Sequence, residues 1–205
     1  MDKKRSYFNL EETMKQAVDR FAEFDPEKIA LQSGVEFMRD RNQLMVPFIG
    51  ENYCVVHPDG VIRKENGEEA ALYNSIIILH YLNTADGTPL TGQWIAYRHL
   101  PGGDIYTSPF QKRAITPFLQ TFGDRPADFK QAAARLGGIE QKMSGISMVI
   151  PVLPRVPLCF TIWPGDEELP ASANILFDQA ASSYLPTEDY AHLPALVNGA
   201  MKKLL

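Results

Sequence analysis

Residues 35–64, VEFMRDRNQLMVPFIGENYCVVHPDGVIRK, decide the fold class. Four short β-prone runs, VEFM, QLMVPFI, ENYCVVH and GVIRK, are separated by Arg39-Asp40-Arg41-Asn42, Gly50-Glu51-Asn52 and Pro58-Asp59-Gly60. Turns this close favour an antiparallel meander, because a parallel pair needs a long crossover between its strands. Upstream, EETMKQAVDRFAEF (11–24) sets Met14, Ala17, Val18, Phe21 and Phe24 at helical spacing with charges opposite. Asp25-Pro26 then breaks and restarts the chain as a short capped helix that Gly34 ends. An N-terminal helical region over roughly 8–34 follows from these signals.

Downstream of the meander, GEEAALYNSIIILHYLNT (67–84) has acids at its start and a broad apolar surface from Leu72 to Leu82. That pattern suits a central helix, although the Ile76-Ile77-Ile78 run leaves a strand open. WIAYRHL (94–100) alternates like a strand, and Pro101-Gly102 has the residues of a type II turn. Ser108-Pro109-Phe110-Gln111 reads as a helix start with Ser108 as its cap, and Pro117 should kink or restart that helix. PADFKQAAARL (126–136) is an amphipathic helix closed by Gly137-Gly138. SMVIPVL and VPLCFTIW form a β pair, and ANILF leads to Asp178 as a helix cap. Thr187 can cap a last helical region that Pro194 divides. The expected architecture is α+β, with largely antiparallel sheet packed with several helices in one domain spanning 1–205.

Composition narrows the function classes. The 205 residues are 45% hydrophobic and 22% charged, enough for a substantial core, and no run approaches the roughly 18 apolar residues of a membrane helix. The start MDKKRSYFNLEE has basic residues without the apolar stretch of a leader, so a cytoplasmic protein with no membrane partner is expected. Net charge is −5 and the cations are dispersed, which argues against a nucleic-acid partner. The two cysteines, Cys54 and Cys159, lie apart inside apolar runs and read as small buried hydrophobes; no intrinsic iron–sulfur or structural zinc site is expected. No two histidines have metal-ligand spacing, and no Gly-x-Ser-x-Gly elbow occurs.

Two Trp-centred segments, TGQWIAYRHLPGGD and IWPGDEELP, carry the distinctive polar residues. In the first, Gly102 and Gly103 offer turn N–H groups to an anion, with Trp94 and Tyr106 nearby and Arg98 or Arg113 as a bidentate clamp. Equally, Pro-Gly-Gly could merely turn a strand into a helix while the cations stay solvated or pair with Asp104. In the second, Asp166, Glu167 and Glu168, with Asp178 and then Glu188-Asp189 further on, could bind a hard divalent cation or divide acid and base roles. Against this, Asp178 suits a cap, the Pro164-Gly165 turn suits an acidic exposed tip, and Glu188-Asp189 suit the first turn of a helix. Trp94 and Trp163 fit pocket walls or the core.

At TGQWIAYRHLPGG, and again at PVLPRVPLCFTIWPGDEELPASANILFD followed by YLPTEDYAHL, the chain resembles the family catalogued as domain of unknown function 3786. The resemblance runs from the helix before Gly34 to the end. It implies an anaerobic bacterial or archaeal setting and assigns no activity or catalytic residue to any position. Some family members carry a cysteine-rich iron–sulfur module that this two-cysteine chain lacks. Were the family to work beside redox or one-carbon chemistry, the cluster would sit on another protein.

The leading expectation is a binding or accessory module: a pocket between the LPGGD and WPGDEELP turns, lined by Trp94, Arg98 and Trp163, taking a small anionic or polar ligand or a partner's cofactor. A metal-dependent hydrolase using Asp166, Glu167, Glu168 and Asp178 stands second. A protein interaction subunit without a pocket stands third. The oligomeric state is open.

Overall fold

A computed structural model describes the backbone of residues 3–205 and the side chains from residue 10 onward. Met1 and Asp2, part of the stretch read for a leader, lie outside the described residues. The chain groups into two compact units, Met1–Thr88 with Ser183–Leu185, and Pro89–Ser182 with Pro186–Leu205. The division falls in the loop bracketed by Gly87, Pro89 and Gly92 and again at three late residues. No compositional linker marks either point. Each unit combines helices with a wholly antiparallel sheet, so the fold is α+β.

The first unit opens with α1 (Lys3–Ala22) and α2 (Pro26–Ser33). Asp25 caps α2 by accepting the Glu27 N–H at 2.8 Å, Pro26 fits the first turn, and Gly34 ends it in the left-handed conformation at φ 73°. The meander follows as β1 (Glu36–Met38), β2 (Gln43–Phe48), β3 (Glu51–Val56) and β4 (Val61–Lys64), neighbours in that order. Period-2 alternation buries Leu44, Val46, Phe48, Tyr53, Val55 and Ile62 on one face, with Leu44 opposite Val55 and Val46 opposite Tyr53. Helix α3 (Leu72–Thr84) settles the Ile76-Ile77-Ile78 ambiguity in favour of helix. Its apolar residues surround the axis, as a helix buried on nearly all sides requires, and it packs on α1 and α2. Asn83 donates to the Ala17 carbonyl at 2.9 Å, and the Tyr81 hydroxyl donates to the Ser33 carbonyl. The Ser33 carbonyl, at the end of α2, is one that no helical N–H follows to satisfy.

The second unit is built on a sheet of order β5-β9-β8-β7-β6: β5 (Trp94–Ala96), β6 (Ile139–Met143), β7 (Gly145–Leu153), β8 (Val156–Trp163) and β9 (Ser172–Asp178). One face carries Met148, Ile150, Leu158, Phe160, Ile162, Ile175 and Phe177 against the helices α4 (Thr107–Phe110), α5 (Thr116–Phe122), α6 (Pro126–Arg135) and α7 (Thr187–Lys202). Phe118 meets Phe129 and Phe160 edge-on at centroid distances of 5.1 and 5.0 Å. Each such phenylalanine stabilises the fold by roughly 1.5–3 kcal/mol through burial, and each favourable ring pair adds about 0.5–1.5 kcal/mol. The opposite face has smaller and more polar residues at its centre: Ser147 and Thr161 face each other across β7 and β8, joined at 2.9 Å. Cys159 lies beside them, fully buried, and burial pushes its thiol pKa up. Cys54 is half-buried against Met45 at 3.2 Å between sulfurs. Cys159 is thus the buried packing residue expected, whereas Cys54 is only half-buried.

Several local expectations are corrected. WIAYRHL is a strand only over Trp94–Ala96; Tyr97–His99 turn into a 3-10 segment as the Tyr97 ring stacks on Phe110. Ser108 is inside α4 instead of capping it, and the helix begins at Thr107, whose hydroxyl bonds back to the Gly103 and Asp104 carbonyls. The restart expected at Pro117 is present: Gln111–Ile115 widen into a π-helical turn, and α5 begins at Thr116 with Pro117 in its first turn. Such a turn absorbs the clash between a proline ring and the preceding turn's carbonyl. Pro194 lies inside an unbroken α7. Asp178 precedes only a 3-10 turn, Ala181–Ser183, where a helix was expected. Strand β6 has a polar sequence, IEQKM, and escaped notice; pairing with β7 makes it a strand. Gly137 and Gly138 end α6 as expected, with Gly137 N–H bonded to Ala134 and Gly138 N–H to Ala133 at 3.0 and 2.8 Å, the Schellman arrangement.

Candidate functional site

The polar residues of the first segment are arranged by the path from β5 into the π turn. Tyr97 leaves β5 with its ring stacked on Phe110 at 4.3 Å and edge-on to Phe177, while its hydroxyl donates to the Thr187 carbonyl at 3.3 Å. The chain then tightens through successive turns, Leu100 N–H to Tyr97, Gly103 N–H to Leu100 and Tyr106 N–H to Gly103. Gly103 has no room for a side chain, since a Cβ would fall 2.1 Å from the Tyr97 carbonyl oxygen. Gly102 adopts φ 71° at the turn's outer corner. Thr187, the first residue of α7, clips the turn from outside by donating to the Pro101 carbonyl at 2.8 Å.

The following helix brings Arg113, on the π turn, to His192 on α7, with a guanidinium nitrogen 3.3 Å from Nε2. A guanidinium can only donate, so Nε2 accepts and the imidazole is neutral. Its pKa is held below the ordinary histidine range first by burial, then by the Arg113 charge, with Asp189 pulling the other way. The Tyr97 phenol is raised by burial, then by the charges of Glu188 and Tyr106, and Arg113 opposes them. Arg113 and Tyr106 are thus drawn into one electrostatic group with Tyr97, Glu188, Asp189 and His192. Tyr97 and His192 were absent from the sequence-derived site, and Glu188 and Asp189 were named only with the carboxylates of the second segment, because spacing alone places these residues on a strand, a helix start and a helix surface. Perturbed ionisable groups clustered at a π turn are a feature of functional sites.

Other nominated residues go elsewhere. Arg98 is exposed on the 3-10 segment, and among the described residues no ion pair joins it to Asp166 or Glu168. Trp94 is half-buried opposite Asp178, the last residue of β9, whereas Trp163 stands opposite Ser172, the first. Strand β9 is 7 residues long, about 20 Å at the rise of a strand. The two indoles therefore do not wall one pocket. Trp163 packs instead over Gly145, where a Cβ would fall 2.8 Å from its Nε1.

Of the four nominated carboxylates, Asp178 stands apart from the three that share the Asp166–Glu168 turn. Asp178 is buried and accepts from Thr91 N–H and Oγ1, Gly92 N–H and Ala180 N–H, at 3.1, 3.1, 2.7 and 2.8 Å. It anchors the approach to β5 on the end of β9. Asp166 folds its own exposed turn, accepting Glu168 N–H and Leu169 N–H, first the latter and then the former lowering its pKa. Glu167 and Glu168 are exposed on that turn. Among the described residues no group of three or more His, Cys, Asp and Glu side chains could hold a metal ion. No helix among them is long and apolar enough to cross a membrane.

Searches among curated proteins and among solved structures each return no match. A family model does match, over residues 25–199, a span that includes the meander, the Gly102-Gly103 turn, the π turn and all of α7 up to Gly199. The chain belongs to the family described as domain of unknown function (DUF3786).

Proposed function

We propose that the chain is a binding module for a small organic anion, seated where the Gly102-Gly103 turn, the π turn and the first turns of α7 meet. The observation that carries this reading is the exposed Arg113 guanidinium held 3.3 Å from a half-buried, neutral His192. A cation beside an imidazole of lowered pKa is poised to take up an anion together with a proton: the anion relieves the repulsion that keeps the imidazole neutral. Both side chains would then donate to it. Ile105 and Tyr106, 76% and 47% exposed beside the turn, offer apolar surface to an organic portion of the ligand. This narrows the expected pocket to one end of the first segment and leaves Trp94 and Trp163 out of it. Asp166, Glu167, Glu168 and Asp178 have no part in it.

The test is thermal melting with phosphate, sulfate, small mono- and dicarboxylates and nucleotides, at about pH 6 and about pH 7.5, because a ligand at a hundred times its Kd stabilises the native state by about 2.7 kcal/mol. The reading expects a rise with at least one anion, larger at the lower pH and lost in Arg113→Ala. Identical midpoints with every anion in wild type, at both pH values, would sink it.

A further inference from the structure

Strand β6 is the outer strand of the five-stranded sheet, and its outward edge pairs with no strand among the described residues. The opposite edge, β5, is only 3 residues long and so offers little to another chain. β6 is longer, at 5 residues, and carries two large apolar side chains in the open, Ile139 at 66% and Met143 at 37% exposure. Between them lie Glu140 and Lys142, both exposed, on the face of the sheet opposite to Ile139 and Met143.

We propose that β6 is a homodimer interface, two copies pairing these strands antiparallel about a two-fold axis at Gln141. Their sheets would join into one continuous sheet. The sequence of the strand, Ile-Glu-Gln-Lys-Met, is complementary to itself in this arrangement. Glu140 of each copy faces Lys142 of the other, Ile139 faces Met143, and the two Gln141 residues meet at the axis. The Glu140–Lys142 pair is of a kind that stabilises a sheet, and each contact off the axis occurs twice, as a two-fold interface demands.

The register is selective. In an antiparallel pair, residues whose N–H and C=O point outward pair only with others that do so, which limits the two-fold centre to whole residues. Centring on residue 140 sets Glu140 against Glu140, and centring on 142 sets Lys142 against Lys142. Only the Gln141 centre opposes unlike charges at both positions. A lone edge lysine commonly serves to keep strands apart; Lys142 is matched by Glu140 at the spacing that converts repulsion into recognition of the same strand. Glu140 also pairs with Lys130 at 2.8 Å within its own chain, both side chains being partly exposed, and a carboxylate can accept from both cations.

The experiment is sedimentation of the full chain over a concentration series, wild type beside Glu140→Lys, Lys142→Glu and an equimolar mixture of the two variants. Wild type should move from 23.0 kDa toward twice that mass as concentration rises. Either variant alone sets like charges at both cross-strand positions and should associate about tenfold more weakly. The mixture should recover the dimer, since one strand is then wholly basic and the other wholly acidic at these positions. A wild type that stays at 23.0 kDa throughout overturns the proposal. So do variants that dimerise like wild type, or a mixture that does no better than its components.

Discussion

Arg113 and His192, 79 residues apart in the chain, meet at 3.3 Å because a π turn and a proline-containing helix are packed together. Removing the guanidinium in Arg113→Ala should cost little stability, below about 1 kcal/mol for an exposed group. The same change should raise the His192 pKa, since the Arg113 charge is one of the causes of its depression. Titration of the His192 ring by NMR in both proteins checks this; an unchanged pKa would mean that burial acts alone.

The depressed His192 pKa sets a pH dependence. The unfolded chain binds its proton at about pH 6.5, and the folded chain binds it only at lower pH. The contribution to stability is therefore complete above about pH 6.5 and is lost as pH falls through the folded-state value. Denaturant unfolding at a series of pH values should show a steeper acid-side loss in wild type than in His192→Gln, with the difference confined to that window.

Asp178 and Asp166 should part company. Asp178→Ala leaves four donors at the β9 terminus without their acceptor and should destabilise by about 3 kcal/mol or more. Asp166→Ala, on an exposed turn, should hardly move the midpoint of the same urea titration. Equal effects would contradict the anchoring role given to Asp178.

Gly103→Ala tests the turn. The added Cβ has the Tyr97 carbonyl 2.1 Å away, so the backbone must shift, at a cost of about 1–3 kcal/mol. Gly102→Ala meets no neighbour within 4 Å and carries only the strain of its positive φ, so it should be the milder change. Thermal melting of the two variants side by side decides the order.

Phe118→Ala probes the core of the second unit. The side chain is fully buried among Phe122, Phe129 and Phe160, and its loss should cost about 3–5 kcal/mol. A cost below about 1 kcal/mol would show that the ring cluster collapses around the cavity.

Much of the fold was legible from local signals. Alternation in QLMVPFI and ENYCVVH, the Asp25-Pro26 and Gly34 punctuation, and the Gly137-Gly138 stop all act within a few residues, and the structure follows each of them. Strand β6 was not legible, because IEQKM has no strand pattern and owes its conformation to β7. Pro117 restarts the helix as read, behind a π turn, whereas Pro194, read as a division, lies within the continuous α7.

The candidate site divides in the same way. Composition and spacing alone determined that the chain is α+β with antiparallel sheets, that Cys159 is a buried packing residue, and that Gly102, Gly103, Tyr106 and Arg113 sit around a turn feeding a helix. Tertiary structure decided which side chains share a neighbourhood. Strand register put Trp94 and Trp163 at opposite ends of β9, and the return of α7 over the π turn brought His192, Glu188 and Asp189 to Arg113. Local patterns report forces between residues a few positions apart; register and helix packing depend on contacts between distant segments, whose closure no short stretch of sequence encodes.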